Sequence, residues 1–139
     1  MERKLDNQEL DKDRCQDIRQ RKRMMDAEIE MLEKQRQTAS NMLMQTRNRL
    51  MQDRSELSRL MQTQIMAESA IATASPSTDS ATSTTIAMQI SVIEARIQML
   101  ENEEETFLRD INSIDDQLSD FRSSREANAA EATRLNCAI

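Results

Sequence analysis

Large apolar residues recur along this chain at alternating spacings of three and four residues. The most regular run covers residues 86–139, and a less regular run covers residues 15–71. Such spacing is the heptad pattern of a coiled coil, in which the a and d positions form a seam against a partner helix. The pattern therefore predicts two long α-helices, each carrying one seam.

The seam residues can be assigned on both helices. Twelve of the 17 a and d sites on the first helix, and 13 of the 16 on the second, are apolar or cysteine. Neither helix would be stable alone in water with that stripe exposed. On the first helix the principal seam residues are Ile18, Met25, Ile29, Leu32, Leu43, Leu50, Leu57, Leu60 and Ile71. On the second helix they are Ile86, Ile90, Ile93, Ile97, Leu100, Phe107, Ile111, Ile114, Leu118 and Phe121.

A stretch of small polar residues, 73–85, separates the two runs and holds the only proline, Pro76. Ser, Thr and Asp compete with helical backbone bonds, so this stretch is interpreted as the connection between the helices. The first helix is then expected at about 5–72 and the second at about 84–135. In the alternative, Ser75 caps the second helix and Pro76 takes its first position.

The simplest partner for each seam is the other seam. We therefore predict an all-α fold in which two long helices form an antiparallel coiled-coil hairpin, one unit over residues 1–139. The absence of glycine agrees with a chain that makes almost no turns, because average usage of about 7% would give about ten glycines.

The register of the hairpin is first estimated by pairing Ile71 with Ile86, so that the numbers of facing residues add to 157. Residues 1–17 would then extend beyond the second helix. In the core, Asp53 would meet Glu104, and an acidic core layer opposes this register. The connection is long enough to allow a shift of one heptad.

Three flanking ion pairs are expected from the same alignment: Arg54 with Glu101, Glu33 with Arg122, and Arg49 with Asp110. Two like-charged contacts count against it, Glu28 near Glu131 and Glu56 near Glu103. Surface pairs contribute well under about 1 kcal/mol each, so they do not decide the register.

Charge is divided unevenly along the chain. Residues 1–72 carry 14 Lys or Arg and 13 acids, whereas residues 73–139 carry five Arg and 12 acids. The net charges of +1 and −7 favour pairing between the helices over self-pairing of the second. The pI near 4.8 argues against general nucleic-acid binding. The one basic run, residues 19–23, is flanked by acids and is interpreted as a solvated helix face.

Methionine is unusually frequent, with 11 copies. Seven of them are expected beside the seam of the first helix: Met24, Met31, Met42, Met44, Met51, Met61 and Met66. They are interpreted either as loose core filling or as an adaptable docking surface, because flexible thioethers repack against varied partners. The docking candidates are Met42, Met44, Met51, Met61 and Met66. Either interpretation leaves apolar surface uncovered and predicts a four-helix bundle, formed by self-association or by a partner protein.

Enzymatic chemistry has few candidate groups. The chain has no histidine to act as a general base, no Gly-rich loop for phosphate and no nucleophile beside a base. Glu103, Glu104 and Glu105 cluster, but a bundle di-metal site of the usual kind also needs histidine. We therefore expect no enzyme activity, no catalytic, cofactor-binding or metal-binding residues and no cofactor.

The two cysteines are not expected to pair. Cys15 occupies an a position and is interpreted as a small hydrophobic residue. In the estimated register Cys137 lies about 7.5 Å along the axis from Cys15, so a disulfide would need a frayed tail. Two cysteines give no disulfide framework and favour a reducing compartment. The expected location is the cytoplasm or a macromolecular assembly, with no signal peptide and no membrane span.

Two functional classes agree with these features. The first is a non-enzymatic structural or adaptor protein that acts by helix–helix association within a larger assembly. The second rests on architecture alone, because two long helices with a small polar loop resemble the coiled-coil stalk proteins of flagellar and type III secretion ATPases. The outline also resembles the helical subunits and chaperones of those export systems. A phage or other virion structural protein fits the same outline.

Overall fold

The computed structural model describes residues 2–71 and 76–139, and the side chains of residues 9–69 and 84–139. Helix α1 spans Glu2–Ile71 and helix α2 spans Pro76–Arg134. The two helices pack against each other, and the described residues contain no strand. The all-α helical hairpin predicted from the heptad spacing is therefore confirmed.

Helix α2 begins at Pro76, eight residues before the predicted start at 84. Proline is well placed there because the first turn of a helix leaves its N–H groups unbonded, and the fixed φ of proline matches a helix. Ser and Thr cost only about 0.5 kcal/mol each within a helix, so the polar residues that follow do not prevent it. Of the predicted connection, residues 76–85 are helical, and residues 73–75 lie outside the described residues.

The chain forms two compact units. The terminal unit comprises Met1–Ala39 with Asp110–Ile139, and the central unit comprises Ser40–Arg109. In the terminal unit, Ile29, Leu32 and Leu118 are buried together, with Ile114 and Phe121 packed against them. Each fully buried Leu or Ile side chain stabilises the fold by about 1.5–3 kcal/mol.

The central unit has the larger core cluster. Its buried members come from both helices, and partly buried residues, including Leu57 and Leu100, pack against them. The buried members are Leu50, Leu60, Ile86, Ile90, Ile93 and Ile97.

The register differs by one heptad from the one estimated above. Across the helices, Arg36 pairs with Asp115, Arg47 with Glu104 and Arg96 with Asp53. The numbers of these paired residues add to 151, 151 and 149, so facing residues add to about 150 in place of 157. The earlier start of α2 explains the shift, because it moves the centre of the hairpin toward the N-terminus.

The shift removes the acidic core layer. Asp53 contacts Arg96, and Glu104 contacts Arg47, so the predicted meeting of Asp53 with Glu104 is wrong. Glu131 likewise lies 3.8 Å from Arg21, where a like-charged contact with Glu28 was expected.

Helix α2 ends in a Schellman motif. The Cys137 N–H donates to the Ala132 carbonyl over 2.8 Å, and the Asn136 N–H donates to the Thr133 carbonyl over 3.2 Å. Asn136 has a φ of 55°, the left-handed conformation that this motif requires and that asparagine tolerates. The chain therefore turns back at Asn136 and directs Cys137 toward α1.

Cys137 forms a disulfide with Cys15, and their Cα atoms are 5.4 Å apart. The expectation of unpaired cysteines is therefore wrong, for two structural reasons. In the shifted register, residue 135 lies opposite Cys15. The Schellman turn at Asn136 then folds the chain back, which brings Cys137 to Cys15. The predicted overhang of residues 1–17 is shorter as well, because Cys15 is held by this bond.

Candidate docking surface

The predicted seam residues face the inside of the hairpin. Eleven are buried, seven are half-buried, and the side chain of Ile71 lies outside the described residues. The buried residues are Ile18, Ile29, Leu32, Leu43, Leu50, Leu60, Ile86, Ile90, Ile93, Ile97 and Leu118. The half-buried residues are Met25, Leu57, Leu100, Phe107, Ile111, Ile114 and Phe121.

Polar residues interrupt the seam at defined points. Asp53 is buried at a d position, and both of its carboxylate oxygens accept hydrogen bonds from Arg96. Asn128 is also buried, and its Nδ2 donates to the Ile18 carbonyl over 2.9 Å. Its Oδ1 has no partner within the described part of the chain. A buried polar residue in a coiled-coil seam lowers stability and specifies the register.

Ion pairs across the two helices flank the seam. Two of the three predicted pairs are present, Arg54 with Glu101 at 3.2 Å and Glu33 with Arg122 at 3.1 Å. An unpredicted pair joins Arg36 Nε to Asp115 Oδ1 over 2.6 Å.

The hydrogen bond from Arg36 lowers the pKa of Asp115, and the positive charges of Arg36 and Arg122 act in the same direction. The same pairing raises the pKa of Arg36. A hydrogen bond to a carboxylate favours its charged form, so this pair holds the two helices together most firmly when Asp115 is ionised.

Some members of each charged cluster noted in the sequence contact neighbouring residues. In the basic run, Arg21 pairs with Glu131, and Lys22 Nζ donates to the Ile139 carbonyl over 3.3 Å. In the acidic cluster, Glu104 pairs with Arg47. Among the described residues, no group of three or more His, Cys, Asp or Glu could hold a metal ion.

The outward face of the central unit carries few charges. We define the outer face as the b, c and f heptad positions of residues 41–69 and 84–109, which are 25 positions, all exposed. At the chain average of 32% charged residues, about eight of the 25 would be charged, yet only Arg59, Glu105 and Arg109 are. Depletion of charged residues together with enrichment of methionine is the composition of a protein interface core.

The outward positions of the terminal unit provide a comparison. The b, c and f positions of residues 9–38 and 112–134 number 25, and ten are charged. Both units belong to one coiled-coil pattern, so the requirements of the seam do not explain the difference. The outer face of the central unit therefore differs in composition from the equivalent face of the terminal unit.

The methionines lie on the outside of the hairpin. The five docking candidates are all exposed: Met42 by 46%, Met44 by 61%, Met51 by 69%, Met61 by 42% and Met66 by 72%. They therefore do not fill the core of the hairpin itself. Their role as core filling in a bundle of more than two helices, or in docking, stays a prediction.

Two apolar stripes run along the central unit. The α1 stripe consists of Met44, Met51, Met61 and Ile65 at b and e positions. The α2 stripe consists of Met88, Val92, Ala95 and Met99 at c and f positions, spaced by four, three and four residues. This spacing repeats that of the seam, so α2 carries a second surface suited to a helix.

A groove runs beside the α2 stripe and connects it with the seam. Met88 and Val92 line the groove together with Glu56, Leu60 and Arg96. Farther along, Met99 lines a second groove with Asp53 and Arg96. Apolar side chains of the stripe thus continue inward to core residues, which gives a partner helix a concave surface.

The α2 stripe and Ile65 were missed by the sequence analysis. Met88 is 66% exposed, Val92 58%, Met99 64% and Ile65 63%. The signal that marks them in the sequence is the scarcity of charge at the b, c and f positions. Methionine frequency alone points to the first helix.

Within the described residues, neither helix has a segment of the length and apolarity that crossing a membrane requires. Comparison with protein-family models, with curated proteins and with solved structures finds no match to this chain.

Proposed function

We propose that this chain is a non-enzymatic structural or adaptor protein that acts by helix–helix association within a larger assembly. The observation that carries the proposal is the outer face of the central unit, where 25 exposed positions hold three charged residues, against ten of 25 in the terminal unit. If this face contacted only water, its lack of charge would give no gain in solubility over the mixed charged face of the terminal unit.

The hairpin core supports this proposal by supplying a rigid platform. Leu50 is 1% exposed and Ile93 is 6% exposed beneath the outer face, so the helices that present the stripes are fixed by their own seam. A preformed helix loses little conformational freedom on docking, and this favours affinity. The flexible methionine side chains then adapt to the surface that they contact.

The proposal is tested by changing both stripes and following the size of the assembly. Met51→Lys combined with Val92→Lys places two charges on the outer face while retaining helix-forming residues. We expect the wild-type chain, expressed in its native source, to migrate in a particle much larger than its own 16.1 kDa. The double variant should migrate apart from that particle.

Met24→Lys is the matched control, because Met24 is 63% exposed but belongs to the terminal unit. This variant should migrate with the particle. If the double variant, with unchanged helicity by circular dichroism, migrates as the wild type does, the proposed function is wrong.

A further inference from the structure

The seam of the terminal unit weakens toward its distal end, which we define as residues 15–25 together with residues 125–137. Because the numbers of facing residues add to about 150, four seam layers lie here: Met25 with Arg125, Lys22 with Asn128, Ile18 with Ala132, and Cys15 with Leu135. Only the layer of Ile18 with Ala132 is apolar and buried on both helices. The distal end therefore has little apolar packing to hold its two helices together.

Asn128 gives the distal end a polar group that the seam does not satisfy. The residue is 5% exposed, and its Nδ2 donates to the Ile18 carbonyl. Its Oδ1 has no partner among the residues that the structure describes. A buried oxygen without a hydrogen bond disfavours the closed state, because water supplies that bond when the helices separate. This layer therefore favours opening of the distal end.

The disulfide between Cys15 and Cys137 restrains that opening. Cys137 lies three residues beyond Arg134, the last residue of α2. The next packed part of the seam is the cluster that contains Ile29 and Phe121. With the bond intact, separated helices would form a short closed loop between the bond and this cluster, and such a loop has few conformations. Without the bond, both strands of that loop are free to move apart.

The bond is placed where a reductant can reach it. Cys15 and Cys137 are half-buried, not enclosed in the core. A thiolate of a small dithiol attacks one protein sulfur, which breaks the S–S bond and forms a mixed disulfide. The second thiol of the reductant then displaces the protein from that mixed disulfide. The two cysteines gain the two electrons and two protons that the dithiol loses, and the reductant leaves as a disulfide. A disulfide oxidant reverses the exchange.

We propose that Cys15 and Cys137 form a reversible redox site that closes the distal end when oxidised and opens it when reduced. Opening exposes the seam residues Ile18, Asn128 and Ala132, while the rest of the hairpin stays folded. This inference goes beyond the proposed function and does not depend on it, because the outer face belongs to the central unit.

Brief trypsin digestion of the full chain, followed by mass spectrometry, tests the proposal. Arg19 and Arg23 lie in the distal end, and Arg47 and Arg54 lie in the central unit as internal controls. The chain is compared after oxidation by oxidised glutathione and after reduction by dithiothreitol. Cleavage after Arg19 and Arg23 should be at least about tenfold faster in the reduced chain, because a helix must open locally before a protease cuts it. Cleavage in the central unit should change much less, and reoxidation should restore the slow cleavage.

Two variants separate the contributions of the bond and of the seam. The Cys15→Ser, Cys137→Ser double variant should be cleaved as the reduced wild type is, with or without dithiothreitol, which also controls for an effect of the reductant on trypsin. Asn128→Leu replaces the unsatisfied amide by an apolar side chain. In the reduced chain it should slow cleavage after Arg19 by about tenfold.

Four results would overturn the inference. Equal cleavage of the oxidised and reduced wild type after Arg19 and Arg23 would mean that the bond does not control the distal end. Acceleration by the same factor after Arg47 and Arg54 would show that the bond acts on the whole hairpin. Cleavage that stays fast after reoxidation would exclude a reversible site. Unchanged or faster cleavage of the reduced Asn128→Leu chain would contradict the weakness assigned to that layer.

Discussion

The buried carboxylate of Asp53 is held at two points by the guanidinium of Arg96, with Oδ1 2.6 Å from Nη2 and Oδ2 3.3 Å from Nε. The Asp53 side chain is 12% exposed and interrupts an otherwise apolar seam. Paired charges with two parallel hydrogen bonds are geometrically specific. This contact therefore favours the observed register, because a slip of one heptad would bring Glu104 to Asp53 instead.

Removing the partner of Asp53 should destabilise the hairpin. Arg96→Gln leaves the carboxylate with its charge poorly compensated in the seam, so we expect the melting temperature to fall by several degrees. Arg109→Gln is the matched control, since Arg109 pairs with Glu105 within one helix and both side chains are exposed. Its melting temperature should change little. Equal shifts for the two variants would contradict the importance of the Asp53–Arg96 contact.

Shortening a core side chain should lower the free energy of unfolding far more than shortening an outer one. Leu50 is 1% exposed, so Leu50→Ala is expected to lower the free energy of unfolding by about 2–5 kcal/mol. Leu108 is 37% exposed, and Leu108→Ala should cost under about 1 kcal/mol. Urea denaturation followed by circular dichroism measures both. Similar decreases in the free energy of unfolding for the two variants would contradict the placement of Leu50 in the seam and of Leu108 outside it.

The disulfide should stabilise the oxidised chain. Cys15 and Cys137 are 122 positions apart, and joining them restricts the unfolded chain by a long loop, which contributes about 2–4 kcal/mol. The oxidised wild type should therefore unfold at higher urea than the Cys15→Ser, Cys137→Ser double variant. Alkylation of the native chain followed by mass spectrometry tests the bond itself. Modification of both cysteines without a reductant would show that they are not joined.

The ion pair between Arg36 and Asp115 should make stability depend on pH. The pKa of Asp115 in the folded chain lies below its ordinary value of 3.8. The stabilisation of the fold by this ion pair is therefore fully present above pH 3.8, and it is lost as the pH falls through the lowered pKa. Carbon NMR titration should find the Asp115 carboxyl midpoint below 3.8, and Arg36→Gln should raise it. An unchanged midpoint in the variant would contradict the cause given for the shift.

The seam and the end of α1 could be predicted from the sequence, because apolar spacing and helical periodicity are local properties. The register could not be read in the same way, since two alignments one heptad apart bury almost the same apolar residues. Two non-local facts favour the observed register: the start of α2 at Pro76 and the contact of Asp53 with Arg96. The disulfide was missed for the same reason, because its geometry follows from the register.

The candidate docking surface was half predicted. The exposed methionines of α1 were named, whereas the α2 stripe depends on which helix faces stay outside once the seam is filled. The resemblance in outline to export stalk proteins, and the fit to a virion component, stay predictions, because two helices and a loop carry no motif that separates these classes.

The antiparallel register determines which side chains meet across the hairpin, because it places Arg96 at Asp53 and brings the α1 and α2 stripes to one level. Methyl NMR measures it directly, through nuclear Overhauser contacts between assigned side chains. We predict contacts of Leu32 with Leu118 and of Leu60 with Ile90. Contacts of Leu60 with Ile97 and of Ala39 with Leu118, without the predicted pair, would establish the register one heptad away and contradict the structure.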